Sequence, residues 1–133
     1  MKEKEIVSQL NRCLAETIGI KEEEISLNSS IIDDLGADSL DLLDLVFRLE
    51  QAFKIRISRG EIETRARETM PEEDFETDGL LSEKAKKALR KALPEVDSSR
   101  FKGNLRKSEI PRLLTVQTFL RLVKEKMEAK DAA

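Results

Sequence analysis

The sequence has no histidine, no tryptophan and no tyrosine, and among its 133 residues only one cysteine and three prolines. Each shortage excludes something. Without histidine there is no imidazole acid–base catalysis, no Ser-His or Cys-His nucleophile pair and no His-containing metal site. No nucleophile–base pair or metal-ligand cluster stands out elsewhere, so a catalytic role fits poorly. A single cysteine, Cys13, rules out an intramolecular disulfide. It falls in the pattern Ile6, Leu10, Cys13, Leu14, Thr17, which is one face of a helix, and reads as a small buried side chain rather than a reactive thiol. With five phenylalanines as the only aromatics, the core must be built from Leu, Ile, Val and Ala. No run is apolar enough to cross a membrane, and Met1-Lys2-Glu3-Lys4-Glu5 does not read as a signal peptide. These features lead to the expectation of a cytoplasmic protein.

What is abundant is charge, unevenly placed. The formal net charge is −3. Between Asp33 and Glu50 six acids (Asp33, Asp34, Asp38, Asp41, Asp44, Glu50) face only Arg48, and from Glu61 to Asp78 eight acids face Arg65 and Arg67. From Leu80 to Arg112 the sign reverses, with ten bases against Glu83, Glu95, Asp97 and Glu109. The chain is an acidic body carrying a basic insert. Overall acidity and the scarcity of aromatics in the basic part argue against nucleic-acid binding.

Helix formers dominate, and the apolar spacing predicts an all-α fold. A first helix is expected from about Glu3 to Thr17, stopped by Gly19. A loop from Ile18 to Ala37 follows, carrying Ile25, Leu27, Ile31, Ile32 and Leu35. These are too many apolar residues for a free linker, so the loop should bury them over the bundle. A second helix is expected from Ser39 to about Phe53, with Leu42, Leu45, Val46, Leu49 and Phe53 facing the core. Lys54-Ile55-Arg56-Ile57 should bring the chain back against that core. A last helix should begin near Thr115 with Val116, Phe119, Leu120, Val123 and Met127 inside, preceded by a turn over Ile110-Pro111-Arg112-Leu113-Leu114, and the tail from Glu128 to Ala133 should fray.

The string Asp33-Asp34-Leu35-Gly36-Ala37-Asp38-Ser39-Leu40 joins the loop to the second helix. It sets the Ser39 hydroxyl at a helix N-terminus behind a glycine turn, where unpaired N–H groups and the helix dipole tolerate a phosphate ester. A plainer reading is a cap, since Asp38 and Ser39 are both good N-cap residues and Asp38 with Asp41 resembles a capping box. Beyond its core face the second helix has a second apolar row, Leu40, Leu43 and Phe47, beside an acidic row, Asp38, Asp41 and Asp44. That second row either packs on the insert or docks a partner, with burial from the apolar residues and steering of a basic surface from the acids.

The attachment string, with Leu49-Glu50-Gln51-Ala52-Phe53 and Thr115-Val116-Gln117, resembles the acyl carrier proteins, and Gly36-Ala37-Asp38-Ser39-Leu40 is most similar to the type II carriers of fatty acid synthesis. The resemblance covers the first sixty residues or so and the last helix. It implies an acyl-carrier-like helical bundle in which a phosphopantetheinyl transferase attaches 4′-phosphopantetheine to Ser39. Acyl chains would then be held as thioesters and partly buried between the helices. The implied partners are acyl synthases and acyltransferases with basic docking patches, meeting Asp38, Leu40, Asp41, Leu43, Asp44 and Phe47. Such a carrier is not an enzyme. Arg48 departs from the family, which usually has a small or neutral residue there.

The larger departure is the insert, residues 59–111, roughly fifty residues within a single carrier domain of residues 1–133. Within it, Glu61 to Met70 is expected as a short charged helix ended by Pro71, and Pro71 to Gly79 as mobile. A helix from Ser82 to about Leu93 should group Leu81, Ala85, Ala88, Leu89, Ala92 and Leu93 on one face, with Lys84, Lys86, Lys87, Arg90 and Lys91 around the rest. Val96, Phe101 and Leu105 are anchors beyond it. Three readings stand: an added structural helix; a basic surface for an acidic enzyme or, more weakly, a membrane; or a screen for the acidic row. The insert resembles specialised carriers serving lipid A-type acyl chains. The alternatives are a polyketide-type carrier and an unmodified helical interaction module.

Overall fold

A computed structural model describes residues 2–57 and 74–132. The expected helix over Glu61 to Met70 and Pro71, which should end it, lie outside the described residues. The described chain is mostly helical, with one two-stranded hairpin, and divides into two compact units, Met1–Ile57 with Leu114–Ala133, and Ser58–Leu113.

The first unit contains α1 (Glu3–Ile18), a short 3-10 turn (Glu22–Glu24), α2 (Ser39–Phe53) and a C-terminal helix, Val116–Ala132. Apolar residues at helical spacing bring Ile6, Leu10 and Leu14 of α1, Leu45, Leu49 and Phe53 of α2, and Val116, Leu120 and Val123 of the last helix into one core. Gly19 ends α1 in the left-handed region (φ 80°), its N–H donating to the Ala15 carbonyl. Beyond α2 the Ile57 N–H donates to Glu50 Oε2 at 3.0 Å, which turns the chain back so that Ile57 is buried and Ile55 partly so. The last helix continues to Ala132.

The long loop is anchored by side chains. Ile31 is fully buried and Leu35 nearly so, each worth roughly 1.5–3 kcal/mol relative to exposure. Leu27 differs from expectation and is 41% exposed. Its backbone serves instead, since its carbonyl accepts the Gln117 N–H at 2.9 Å.

The second unit corrects a sequence expectation. Residues 74–79, assigned to a mobile acidic stretch, are ordered into a hairpin of β1 (Glu76–Thr77) and β2 (Leu80–Leu81), with Glu76 opposite Leu81 and Thr77 opposite Leu80. The loop is Asp78-Gly79, with φ 52° and 82°, the two positive values that a tight hairpin turn requires. Phe75 beside it is fully buried. Then comes α3 (Glu83–Ala92), capped by Ser82, whose hydroxyl accepts the Ala85 N–H. Two 3-10 turns follow, Ser98–Phe101 and Lys107–Leu113. Leu81, Ala85, Leu89, Leu93, Val96, Phe101, Leu105, Ile110 and Leu113 are buried. One expected surface lysine is not on the surface: Lys86 is 8% exposed, donates from Nζ to the Gly103 carbonyl at 2.7 Å and pairs with Glu83 at 2.8 Å. The Val116–Ala132 helix is α4 hereafter.

Candidate functional site

The start of α2 is positioned by the loop before it, and that loop is tied to the start of α4. Ser30 bridges to Thr115, the Ile31 N–H donates to the Leu114 carbonyl, and the Val116 N–H donates to the Ser29 carbonyl, both at 3.0 Å. Asp34 Oδ2 accepts the Ser30 N–H at 2.7 Å, and Ser30 Oγ accepts the Asp33 N–H at 3.1 Å. The loop then closes through Gly36 (φ 81°), whose N–H donates to Ile32, and Ala37, whose N–H donates to Ile31. A side chain at Gly36 would meet nothing within 4 Å. The glycine is needed for its backbone conformation and not for lack of room.

Every helix starts with N–H groups that have no partner within the helix, and the two helices that begin near this loop treat theirs differently. In α4 the Val116 and Gln117 N–H groups go to the Ser29 and Leu27 carbonyls, and the Thr118 N–H goes to Thr115 Oγ1. In α2 a reciprocal capping box forms: Asp38 Oδ1 accepts the Asp41 N–H at 2.8 Å, and Asp41 Oδ2 accepts the Asp38 N–H at 3.1 Å. Asp38 is thus the cap and Ser39 the first helical residue. Ser39 is exposed, and its hydroxyl and the N–H groups of Ser39 and Leu40 make no hydrogen bond with any described residue. A hydroxyl free of capping duty, beside two open amides at the positive end of a helix, fits a phosphodiester on Ser39 Oγ.

Along α2 from that point, Leu40, Leu43 and Phe47 are 74%, 47% and 59% exposed. The acids proposed beside them have distinct environments. Asp38 and Asp41 each use one oxygen in the capping box. Asp44 Oδ2 instead accepts from Arg48 Nε at 3.0 Å, and Arg48 Nη1 donates to Glu16 Oε2 of α1 at 3.2 Å. The hydrogen bond to Asp44, and then its charge, hold the Arg48 guanidinium above its already high pKa. The i,i+4 spacing of Asp44 and Arg48 is a helix-pair signal visible in the sequence; the link to Glu16 is not. Burial, followed by the charge of Glu16, pushes the Cys13 thiol above its ordinary range. This agrees with a packing role. Among the described residues no acidic or sulfur cluster could hold a metal ion, and no helix is long and apolar enough to cross a membrane.

Residues 8–66 match the model of the family described as "Phosphopantetheine attachment site".

Proposed function

We propose, for a chain whose residues 8–66 match the phosphopantetheine attachment site model, that Ser39 is the attachment residue and that the exposed face of α2 presents the load to partner enzymes of fatty acid or lipid A-type biosynthesis. A domain of this kind carries covalent 4′-phosphopantetheine; it is a carrier domain, not a catalytic one, and is consistent with an acyl carrier protein family member. When bound, the arm supplies a terminal thiol that holds an acyl group as a thioester. The residues of this chain do the rest. Asp38 and Asp41 close the helix start, so the Ser39 hydroxyl is left for a phosphopantetheinyl transferase. The open amides of Ser39 and Leu40 would hold a phosphate on Ser39, and Gly36 turns the preceding backbone without crowding it. Leu40, Leu43 and Phe47 offer burial to a partner, and Asp38, Asp41 and Asp44 offer charge.

The carrying observation is that Asp38, not Ser39, caps α2. Incubation of the protein with coenzyme A, Mg²⁺ and a broad-specificity transferase, followed by intact mass measurement, tests it. The expected result is one added phosphopantetheine that is lost in Ser39→Ala. No gain, or a gain that survives that substitution, refutes the assignment.

The pathway rests on the insert. Residues 59–111 are read as an elaboration of one carrier domain spanning 1–133, serving unusual acyl chains in a cytoplasmic setting. With Ala85, Lys86 and Leu89 buried, the basic side chains Lys84, Lys87, Arg90 and Lys91 remain as the exposed surface of α3. That favours an acidic protein over membrane insertion as its partner. Mass spectrometry of the carrier isolated from its own cells names the acyl chain; recovery of ordinary fatty acyl intermediates alone would overturn the specialised role.

A further inference from the structure

Building on the attachment reading, we propose that Arg48 is a specificity residue of the α2 face. By engaging Asp44 and Glu16, it confines the uncompensated charge of the row Asp38, Asp41 and Asp44 to that row's Ser39 end. It thereby selects a protein partner whose cations cluster at that end and whose adjoining surface is an apolar pocket for Phe47.

The argument starts from the three acids, which look equivalent in the sequence. Asp38 and Asp41 accept backbone N–H groups through Oδ1 and Oδ2 respectively, and each keeps a second oxygen with no described hydrogen bond. Both remain able to receive a partner's lysine or arginine. Asp44 is different. Its Oδ2 is held by Arg48 Nε, and the same guanidinium reaches Glu16. One cation therefore serves two carboxylates, and a partner cation meeting Asp44 must compete with it. The three side chains are 40–58% exposed, so the cluster lies open to an approaching surface. At such exposure an ion pair contributes little to stability, and its stronger effect is on which charges a partner meets.

The apolar part of the face is placed to match. Phe47 is 59% exposed and, with Asp44, Arg48, Arg12, Cys13 and Glu16, lines an open groove of ≈ 1010 Å³ between α1 and α2. Phe47 and Arg48 line the same groove, so a partner that seats Phe47 also meets the guanidinium there. A continuous basic patch along the whole helix would be penalised there, and a patch limited to the Asp38–Asp41 end would not. Charge complementarity thus commits the surface to a partner with a short basic cluster and an adjoining apolar pocket.

The test uses the full chain, coenzyme A, Mg²⁺ and a broad-specificity transferase that docks carriers through a basic surface, with KM and kcat measured at low and high salt. Arg48→Gln should lower KM about two- to five-fold, the scale of one exposed charge contact, leave kcat unchanged and steepen the salt dependence. Asp44→Asn in the Arg48→Gln background should return KM to the wild-type value. An unchanged or higher KM in Arg48→Gln, or a gain that persists without Asp44, would overturn the proposal. Should Arg48→Gln fail to fold, single substitutions decide: Asp41→Asn should raise KM more than Asp44→Asn, and equal effects would refute the assignment. A wild-type chain that is not loaded at all refutes the attachment reading instead, so the two failures are distinct.

Discussion

Replacing Asp38 and Ser39 one at a time separates the capping role from the attachment role. In Asp38→Ala the Asp41 N–H loses its acceptor at 2.8 Å, while Asp41 Oδ2 can still accept from the residue 38 N–H. Half of the capping box survives. Loss of an aspartate cap costs about 1 kcal/mol, within a range of roughly 0.5–2, and loss of its negative charge beside the helix dipole falls within that figure. With a urea slope of about 1–2 kcal/mol per molar, the midpoint should drop by about 0.5–1 M. Ser39→Ala removes a hydroxyl that bonds to no described residue and puts a good helix former in the first turn, so its effect should stay within about 0.5 kcal/mol. Helical circular dichroism is the suitable probe, because the chain has no tryptophan or tyrosine to follow. Amide exchange at Asp41 should accelerate in Asp38→Ala and stay unchanged in Ser39→Ala. Asp38→Asn, which keeps an acceptor, should recover most of the loss. Equal destabilisation by both alanine variants would mean that Ser39 shares the cap. The structural case for a free hydroxyl would then fail.

Further perturbations probe the surroundings. Gly36→Ala should cost about 1–2 kcal/mol in urea unfolding, because φ is 81° while the space is open, and Gly36→Asn should cost less; a neutral Gly36→Ala would contradict the left-handed turn. Lys86→Ala should destabilise by about 1–3 kcal/mol, because it leaves the Gly103 carbonyl without its charged donor, and Lys86→Met should restore only the part due to packing; thermal unfolding measures both. Cys13 should react slowly with Ellman's reagent in the native protein and rapidly in urea, since burial raises its thiol pKa; immediate native reaction would refute its burial. The Asp97 carboxyl is held below its ordinary 3.8 first by the Ser99 backbone N–H and then by the Ser99 side chain. A folded value below the unfolded one stabilises the 98–101 turn above that pH, and the effect is lost as pH falls through the folded value. Exchange at the Ser99 amide should therefore rise in acid, and Asp97→Asn should flatten the dependence.

The helices of the first unit were legible because one apolar face repeats at helical spacing and Gly19 marks a stop. The same logic predicts α3, whose Ser82 start is a local signal. The hairpin was missed although its signal was present. Thr77-Asp78-Gly79-Leu80 carries the Asp-Gly pair that favours positive φ at both turn positions, but the surrounding acids give the stretch the composition of a disordered segment. Lys86 and Leu27 were misplaced for a different reason. Residue type predicts exposure for lysine and burial for leucine, whereas each position is decided by a distant backbone partner: the Gly103 carbonyl for one, the Gln117 N–H for the other. The Glu16–Arg48 pair spans 32 residues, and no periodicity reports it.

The site itself shows why residue types alone stop short of function. Asp38 with Asp41 and Thr115 with Thr118 are two reciprocal caps of one spacing, and both box geometries form. Read as patterns, either could front an open helix end. The difference lies in what the loop does with its carbonyls. Leu27 and Ser29 spend theirs on the first amides of α4, and Thr115 and Thr118 are buried there, which closes that end to any ligand. The loop closes its own turn through Ser30 with Asp33 and Asp34, and through Gly36 and Ala37 with Ile32 and Ile31. Among the described residues, none hydrogen-bonds the Ser39 or Leu40 N–H at the start of α2. A cap satisfies a helix locally, but accessibility is set by where the preceding chain has already committed its hydrogen bonds. That allocation leaves Ser39 and the two amides beside it facing solvent.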